Sequence, residues 1–277
     1  MHKLGQHFLT SATIAKRMVE SANIQPTDVV LEVGPGKGML TQFLVEKAKK
    51  VIAIEKDQQF VPYLRKKYKD AKNLEIVEGD ILKIPLNPHF LRQRTDPPSA
   101  EKGELLSRCN RDLVGFPTLS FKIVANLPYY ITSRFLRLFL EEMVNKPQSM
   151  MLMVQKEVAE RICAKPPSMN LLALSVQAFG TPHILFKVSR GSFLPPPEVD
   201  SAVIAIEDIS DAFFKKHHIS PKEFFELPKK AFSQKRKMLR ASLSSHIAEV
   251  RLPHIEHLLK KRPQELSLED WAIMFKA

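Results

Sequence analysis

The sequence predicts an α/β fold: an open sheet with helices packed on it, followed by a small all-helical carboxyl-terminal domain. Three observations lead there. Short β-branched runs alternate with amphipathic helical stretches through the first two hundred or so residues. The first of these runs, Val29-Val30-Leu31-Glu32-Val33, opens directly into Gly34-Pro35-Gly36-Lys37-Gly38 and then a helix. From about Asp211 the strand-like runs stop and helical patterns take over. The division is therefore placed at 1–208 and 209–277, two unequal domains in a chain of 277 residues that can bury a sizeable core.

Taken in order, Thr10 or Ser11 is expected to cap a first helix carrying Ile14, Met18 and Ala22 at helical spacing. After the glycines, Leu40, Phe43, Leu44 and Ala48 mark a second helix. Val51-Ile52-Ala53-Ile54, Leu74-Glu75-Ile76-Val77, Phe121-Lys122-Ile123-Val124-Ala125, residues 149–154, His183-Ile184-Leu185-Phe186-Lys187-Val188 and residues 199–206 read as further strands. Phe135, Leu138, Phe139 and Met143 form the apolar face of a helix that Thr132 or Ser133 is expected to cap. Residues 155–163 read as a helix, and residues 171–179 fit helix better than strand. Residues 87–118 mix arginines with prolines and show no period, which predicts a long surface loop. A last helix begins after Pro263, with Ser267 and Asp270 as a reciprocal capping pair.

Composition narrows the function. A net charge of +12 and a pI near 9.6 favour a polyanionic partner, because clustered Lys and Arg release counterions from phosphates. Lys229, Lys230, Lys235, Arg236, Lys237 and Arg240 lie in a stretch without an acid and form the candidate phosphate surface, expected as a basic helix. Cys109 and Cys163 are too few and too isolated for a disulfide framework or a zinc site, and no metal is expected. The amino terminus lacks the apolar core of a secretory signal and no stretch is long enough to span a bilayer, so a soluble, cytoplasmic protein is expected.

Chemistry concentrates at strand ends, where an open α/β sheet places its ligands. Glu32 sits two residues before the first glycine, and Gly34, Gly36 and Gly38 alternate, one position tighter than the dinucleotide fingerprint. Such a loop suits the methionine end of S-adenosylmethionine better than a pyrophosphate. Glu55, about twenty residues further on, is placed to accept both hydroxyls of a ribose. Asp80 is placed to accept from an adenine amine, with Ile81 beside the ring. The fourth strand end carries Asn126-Leu127-Pro128-Tyr129, an amide acceptor and an aromatic ring suited to an amine on a flat base. Phe193 precedes the stiff triplet Pro195-Pro196-Pro197 and is expected to face Tyr129 across that base.

In order, Gly5-Gln6-His7-Phe8-Leu9, the Leu31 to Gly38 loop, Glu55, Glu78-Gly79-Asp80, Asn126-Leu127-Pro128-Tyr129, Phe193 to Val203, and Phe232 to Leu243 resemble the ribosomal RNA adenine dimethyltransferases. The likeness runs nearly end to end. It implies a seven-stranded, doubly wound, Rossmann-like methyltransferase domain and S-adenosylmethionine as cofactor, with Gln6, His7, Leu9 and Lys56 joining Glu32, Gly34, Gly36, Glu55, Asp80, Ile81 and Asn126 around it. It further implies dimethylation of two adjacent adenosines near the 3′ end of small-subunit ribosomal RNA, within the immature small ribosomal subunit, by a protein whose default state is a monomer.

In that reading the Asn126 side-chain oxygen and the Leu127 or Pro128 carbonyl accept from the adenine amine, while Tyr129 and Phe193 sandwich the base. The sequence departs from the family pattern at His7 and Tyr130, where Asn is usual, in a longer segment between Asp80 and Asn126, and from Pro166-Pro167 to Leu172, where relatives look glycine-rich. Two alternatives stand: a large-subunit adenine methyltransferase of the antibiotic-resistance type, and a ribosome-assembly factor that has lost catalysis. A nicotinamide oxidoreductase is disfavoured by the glycine spacing.

Overall fold

The computed structural model describes residues 7–84, 120–243 and 252–276; Gln6, the loop expected at 87–118 and Cys109 lie outside them. In chain order the elements are β1 (Phe8–Leu9), α1 (Ala12–Ser21), β2 (Val29–Val33), α2 (Thr41–Lys47), β3 (Lys50–Glu55), α3 (Phe60–Lys67), β4 (Leu74–Glu78), β5 (Phe121–Asn126) and α4 (Thr132–Arg137). They continue through β6 (Ser149–Gln155), α5 (Lys156–Ile162), α6 (Leu171–Gln177), β7 (Thr181–Val188), β8 (Phe193–Leu194) and β9 (Ser201–Glu207). The remaining helices are α7 (Ala212–His217), α8 (Pro221–Ser233), α9 (Leu239–Leu243), α10 (Leu252–Leu259) and α11 (Leu268–Lys276).

A seven-stranded sheet runs in the order β4-β3-β2-β5-β6-β9-β7. Its first five strands are parallel and its last two pairings antiparallel. Parallel strands covered on both faces need apolar side chains on both, and β2 is buried along its whole length. Val29, Leu31 and Val33 join one apolar cluster while Val30 joins a second on the opposite face. From β2 the chain steps outward through β3 to β4, then returns to the other side of β2 with β5 and β6. The gap between the carboxyl ends of β2 and β5 is thus a topological switch point, the place where such sheets bind ligands. A separate two-stranded ribbon pairs β1 with β8, with Leu9 opposite Phe193.

Several local expectations are corrected. β9 starts at Ser201 rather than at residue 199, and Val199 is exposed in the preceding loop. Neither Thr132 nor Ser133 caps α4: a 3-10 turn over Tyr129–Ile131 leads into the helix, and the Thr132 hydroxyl donates instead to the Tyr129 carbonyl at 3.2 Å. Ser11 does cap α1, accepting from the Ile14 N–H, and Ser267 with Asp270 caps α11 reciprocally. A full capping box at Ser220 and Glu223 opens α8.

The sheet ends at Glu207 and helices follow from Ala212, close to the expected division. The two parts share one core, however. Phe179 lies 4.8 Å from Phe214 and 6.4 Å from Phe225, ring centre to ring centre, and a single apolar cluster joins Ile204 and Ile206 of the sheet to Phe224 and Trp271 of the helices. Among the described residues no helix is long and apolar enough to cross a membrane.

Candidate active site

The site is built where backbone ladders run one residue past their strands. Gly34 N–H donates to the Ile54 carbonyl, Gly79 N–H to Glu55, and Leu127 N–H to Met153, so each loop leaves its strand in a fixed direction. Gly34, Gly36 and Gly38 all have φ between +55° and +77°, a region glycine alone adopts cheaply. At Gly36 a Cβ would also lie 3.0 Å from the Phe8 ring, which would have to shift to admit it. The glycine loop is therefore roofed by the amino-terminal arm.

Three carboxylates converge beneath that roof. Glu32, 1% exposed, accepts from the Thr41 hydroxyl at 2.7 Å through Oε2, while its buried Oε1 has no hydrogen-bond partner among the described residues. Burial drives its pKa up to about 8; the Thr41 hydrogen bond opposes the shift and the neighbouring Glu55 charge adds to it. Glu55, 3% exposed, accepts from the Gly36 and Asp57 N–H groups at 2.9 and 2.8 Å, and burial raises its pKa as well. Partial burial pushes the Asp80 carboxyl up, but the Leu82 N–H and the Lys56 ammonium, 3.1 Å away, prevail and hold it below the usual carboxylate range. Burial thus pushes Glu32 and Glu55 towards their neutral forms while Asp80 is pushed towards its ionised form, so the three carboxyls differ along one wall.

On the β5 side, the Asn126 amide nitrogen donates to the His7 carbonyl at 3.4 Å, and its oxygen, without a partner among the described residues, is the open acceptor. The Pro128 carbonyl already accepts from Ile131 N–H, closing the 3-10 turn, whereas the Leu127 carbonyl has no such partner among the described residues. Tyr129 is held by its hydroxyl, 2.7 Å from the Ser201 hydroxyl, and burial raises its pKa. The His7 ring stacks against Tyr129 at 5.8 Å and donates from Nδ1 to the Pro195 carbonyl at 2.8 Å, tying the amino-terminal arm to the triple-proline loop.

His7, Leu9, Glu32, Gly34, Gly36, Glu55, Lys56, Asp80, Ile81, Asn126, Leu127, Pro128 and Tyr129 all line one cleft at the switch point, enclosing about 1070 Å³ with the solvent at its mouth. Phe193 is a correction. Its ring is 4% exposed and packs with Leu9, Met18 and Val203 in the second apolar cluster, so it does not line the cleft. Pairing with β1 turns it inward.

The basic residues are also rearranged: Lys229 and Lys230 belong to α8, Lys235, Arg236 and Lys237 form the turn after it, and Arg240 opens onto α9, so no single basic helix exists. All but the half-buried Lys230 are exposed. Reading the sequence missed Thr41, Ser201 and Phe8 as supports of the site; Ser201 lies in the triple-proline segment, but no pattern paired it with Tyr129. Among the described residues no group of His, Cys, Asp and Glu is placed to hold a metal.

Strand-end carboxylates, tight glycines and an amide acceptor on this sheet define a Rossmann-like methyltransferase fold. The family model for ribosomal RNA adenine dimethylase matches residues 1–277. A ribosomal RNA small subunit methyltransferase A of Dehalococcoides mccartyi is 38% identical over 97% of this chain and 84% of its own length. One from Alkaliphilus metalliredigens is 36% identical over 99% and 90%. A dimethyladenosine transferase of Plasmodium falciparum superposes with a TM-score of 0.73 at 26% identity, covering 97% of this chain and 96% of that one. The 23S rRNA methyltransferase ErmE, at 23% identity and a TM-score of 0.68, shares the fold. The chain belongs to the ribosomal RNA adenine dimethylase family.

Glu32 gives a pH prediction. Its folded pKa of about 8 lies above the ordinary 4.5, so the folded chain binds the proton more tightly than the unfolded chain. Its contribution to stability is full below about 4.5 and is lost as pH rises through about 8. Thermal unfolding of Glu32→Gln is therefore expected to decline less than wild type between pH 6 and 9; parallel curves would contradict the assignment.

Proposed function

We propose that this protein uses S-adenosylmethionine to dimethylate the N6 amines of two adjacent adenosines near the 3′ end of small-subunit ribosomal RNA during small-subunit maturation. One observation carries the reading: the open Asn126 oxygen and the open Leu127 carbonyl sit in the same cleft as an uncompensated buried carboxylate oxygen on Glu32. The first pair suits an amine on a base, and the second suits an ammonium. Relatives over 35% identical that are named for small-subunit rRNA support this branch over the large-subunit alternative.

When bound, the cofactor supplies an electrophilic sulfonium methyl. The residues do the rest. Glu32 Oε1 takes the ammonium of the methionine end, which favours ionisation of a carboxyl that burial otherwise keeps protonated. Glu55, oriented by the Gly36 and Asp57 N–H groups, receives the ribose hydroxyls. Asp80, held below the usual carboxylate range by the Leu82 N–H and Lys56, would receive the adenine amine, and Ile81, which lines the cleft next to it, would offer the ring an apolar contact. Gly34 and Gly36 let the backbone approach closely, and His7 and Leu9 line the cleft beside them.

The lone pair of an adenine amine is delocalised into the ring. In the first transfer, acceptance of its two N–H bonds by Asn126 Oδ1 and the Leu127 carbonyl draws the nitrogen towards a tetrahedral shape and frees the lone pair. As the N–C bond forms and the donor's S–CH3 bond breaks, the cationic nitrogen releases a proton to water. In the second transfer the one remaining N–H is accepted by either group. The Pro128 carbonyl is the weaker candidate because Ile131 N–H already occupies it. Tyr129, locked by Ser201, supplies a stacking face. Alignment and fixed dipoles account for the rate, and no side chain has to act as a strong base. Lys229, Lys230, Lys235, Arg236, Lys237 and Arg240 hold the phosphates of the rRNA.

The test is transfer of labelled methyl groups to undermethylated small ribosomal subunits and, separately, to large subunits. Dimethyladenosine in the small-subunit RNA is expected, with a loss of about 100-fold or more in Asn126→Ala by analogy with removal of an electrostatic acceptor. Label in the large subunit, or full activity in the variant, would refute the reading. Lys235→Glu with Lys237→Glu should weaken subunit binding and flatten its dependence on salt by about one to two units of log–log slope; unchanged binding would remove this surface from the RNA path.

A further inference from the structure

Tyr130 has no place in the mechanism above, yet it lines the same cleft and is 61% exposed. Its backbone is not loose. It is the middle residue of the 3-10 turn Tyr129–Ile131, closed by Ile131 N–H to the Pro128 carbonyl and Thr132 N–H to the Tyr129 carbonyl. Successive side chains of a 3-10 turn point about 120° apart. Tyr129 is turned inward and held on Ser201, so Tyr130 is turned outward and cannot be the second face for the same base.

We infer that Tyr130 is a stacking platform for the nucleotide next to the target adenosine. The inference rests on the rRNA adenine reading proposed above. A base drawn into the cleft is separated from its neighbour in the stack, and the neighbour then has an exposed π-face of its own. Single-stranded bases are commonly held in that way on exposed aromatic rings. Lys56, half-exposed in the same cleft and paired on one side with Asp80 at 3.1 Å, would offer its solvent side to the linking phosphate. The cofactor is the less fitting occupant for this ring: the carboxylates assigned to it, Glu32 and Glu55, are 1% and 3% exposed, whereas the Tyr130 ring faces solvent. For a substrate with two adjacent target adenosines, such a platform would hold one while the other is in the cleft.

The experiment compares Tyr130→Ala, Tyr130→Leu, Tyr130→Phe and Tyr130→Trp with wild type, using undermethylated small subunits as substrate and calorimetric binding of S-adenosylhomocysteine as the cofactor readout. An exposed position leaves all four foldable, and equal melting temperatures check this. Ala and Leu are expected to raise KM for the subunits roughly 5- to 100-fold, with kcat at saturation near wild type. Phe and Trp are expected to restore KM, and Kd for S-adenosylhomocysteine is expected to stay constant throughout. An unchanged KM in Tyr130→Ala would overturn the inference alone, as would failure of Phe to rescue or a weakened Kd, which would assign the ring to the cofactor. A wild type that methylates no small-subunit RNA would overturn the underlying function as well.

Discussion

The site depends on one unfavourable group, the Glu32 carboxylate at the end of β2. It is buried in the middle of the parallel sheet, satisfied on one oxygen by Thr41 and on the other by nothing among the described residues. A carboxyl in that position is costly to ionise, and its pKa of about 8 expresses that cost. A cationic ligand group would relieve it. In the proposed function, stability forgone at Glu32 becomes a preference for a cationic ligand group.

Convergence of distant segments follows from the sheet. The switch between β2 and β5 brings the glycine loop beside Asn126, and parallel pairing of β3 and β4 brings Glu55 and Asp80 to the same edge. The amino-terminal arm completes the enclosure through contacts far apart in sequence: His7 touches Tyr129, Pro195 and Asn126, and β1 pairs with β8. Removing the arm would unroof the glycine loop and loosen the triple-proline segment together.

Much of this was legible in the sequence because strand-end chemistry is local. A buried β-branched run followed by glycines fixes where Glu32 must be, and the same logic located Glu55, Asp80 and Asn126. What escaped was set by pairing across long sequence separations. Phe193 was expected at the base because of the stiff prolines beside it, but antiparallel pairing of β8 with β1 turns its ring into the core. The cap expected at Thr132 failed because its hydroxyl closes onto Tyr129 within the preceding turn. The basic segment was read as a helix from its charges, yet the helix ends at Ser233 and three of the cations lie in the turn beyond. Ser201 and Thr41, each fixing a central side chain, carry no sequence signal because a single hydroxyl can serve anywhere.

The most direct measurement is a crystal structure with S-adenosylhomocysteine bound. The account predicts the ligand amino group within hydrogen-bond distance of Glu32 Oε1, the ribose hydroxyls on Glu55, and Asn126 Oδ1 left open towards the mouth of the cleft. A ligand whose amino group lies elsewhere, with Glu32 Oε1 still uncompensated, would contradict it.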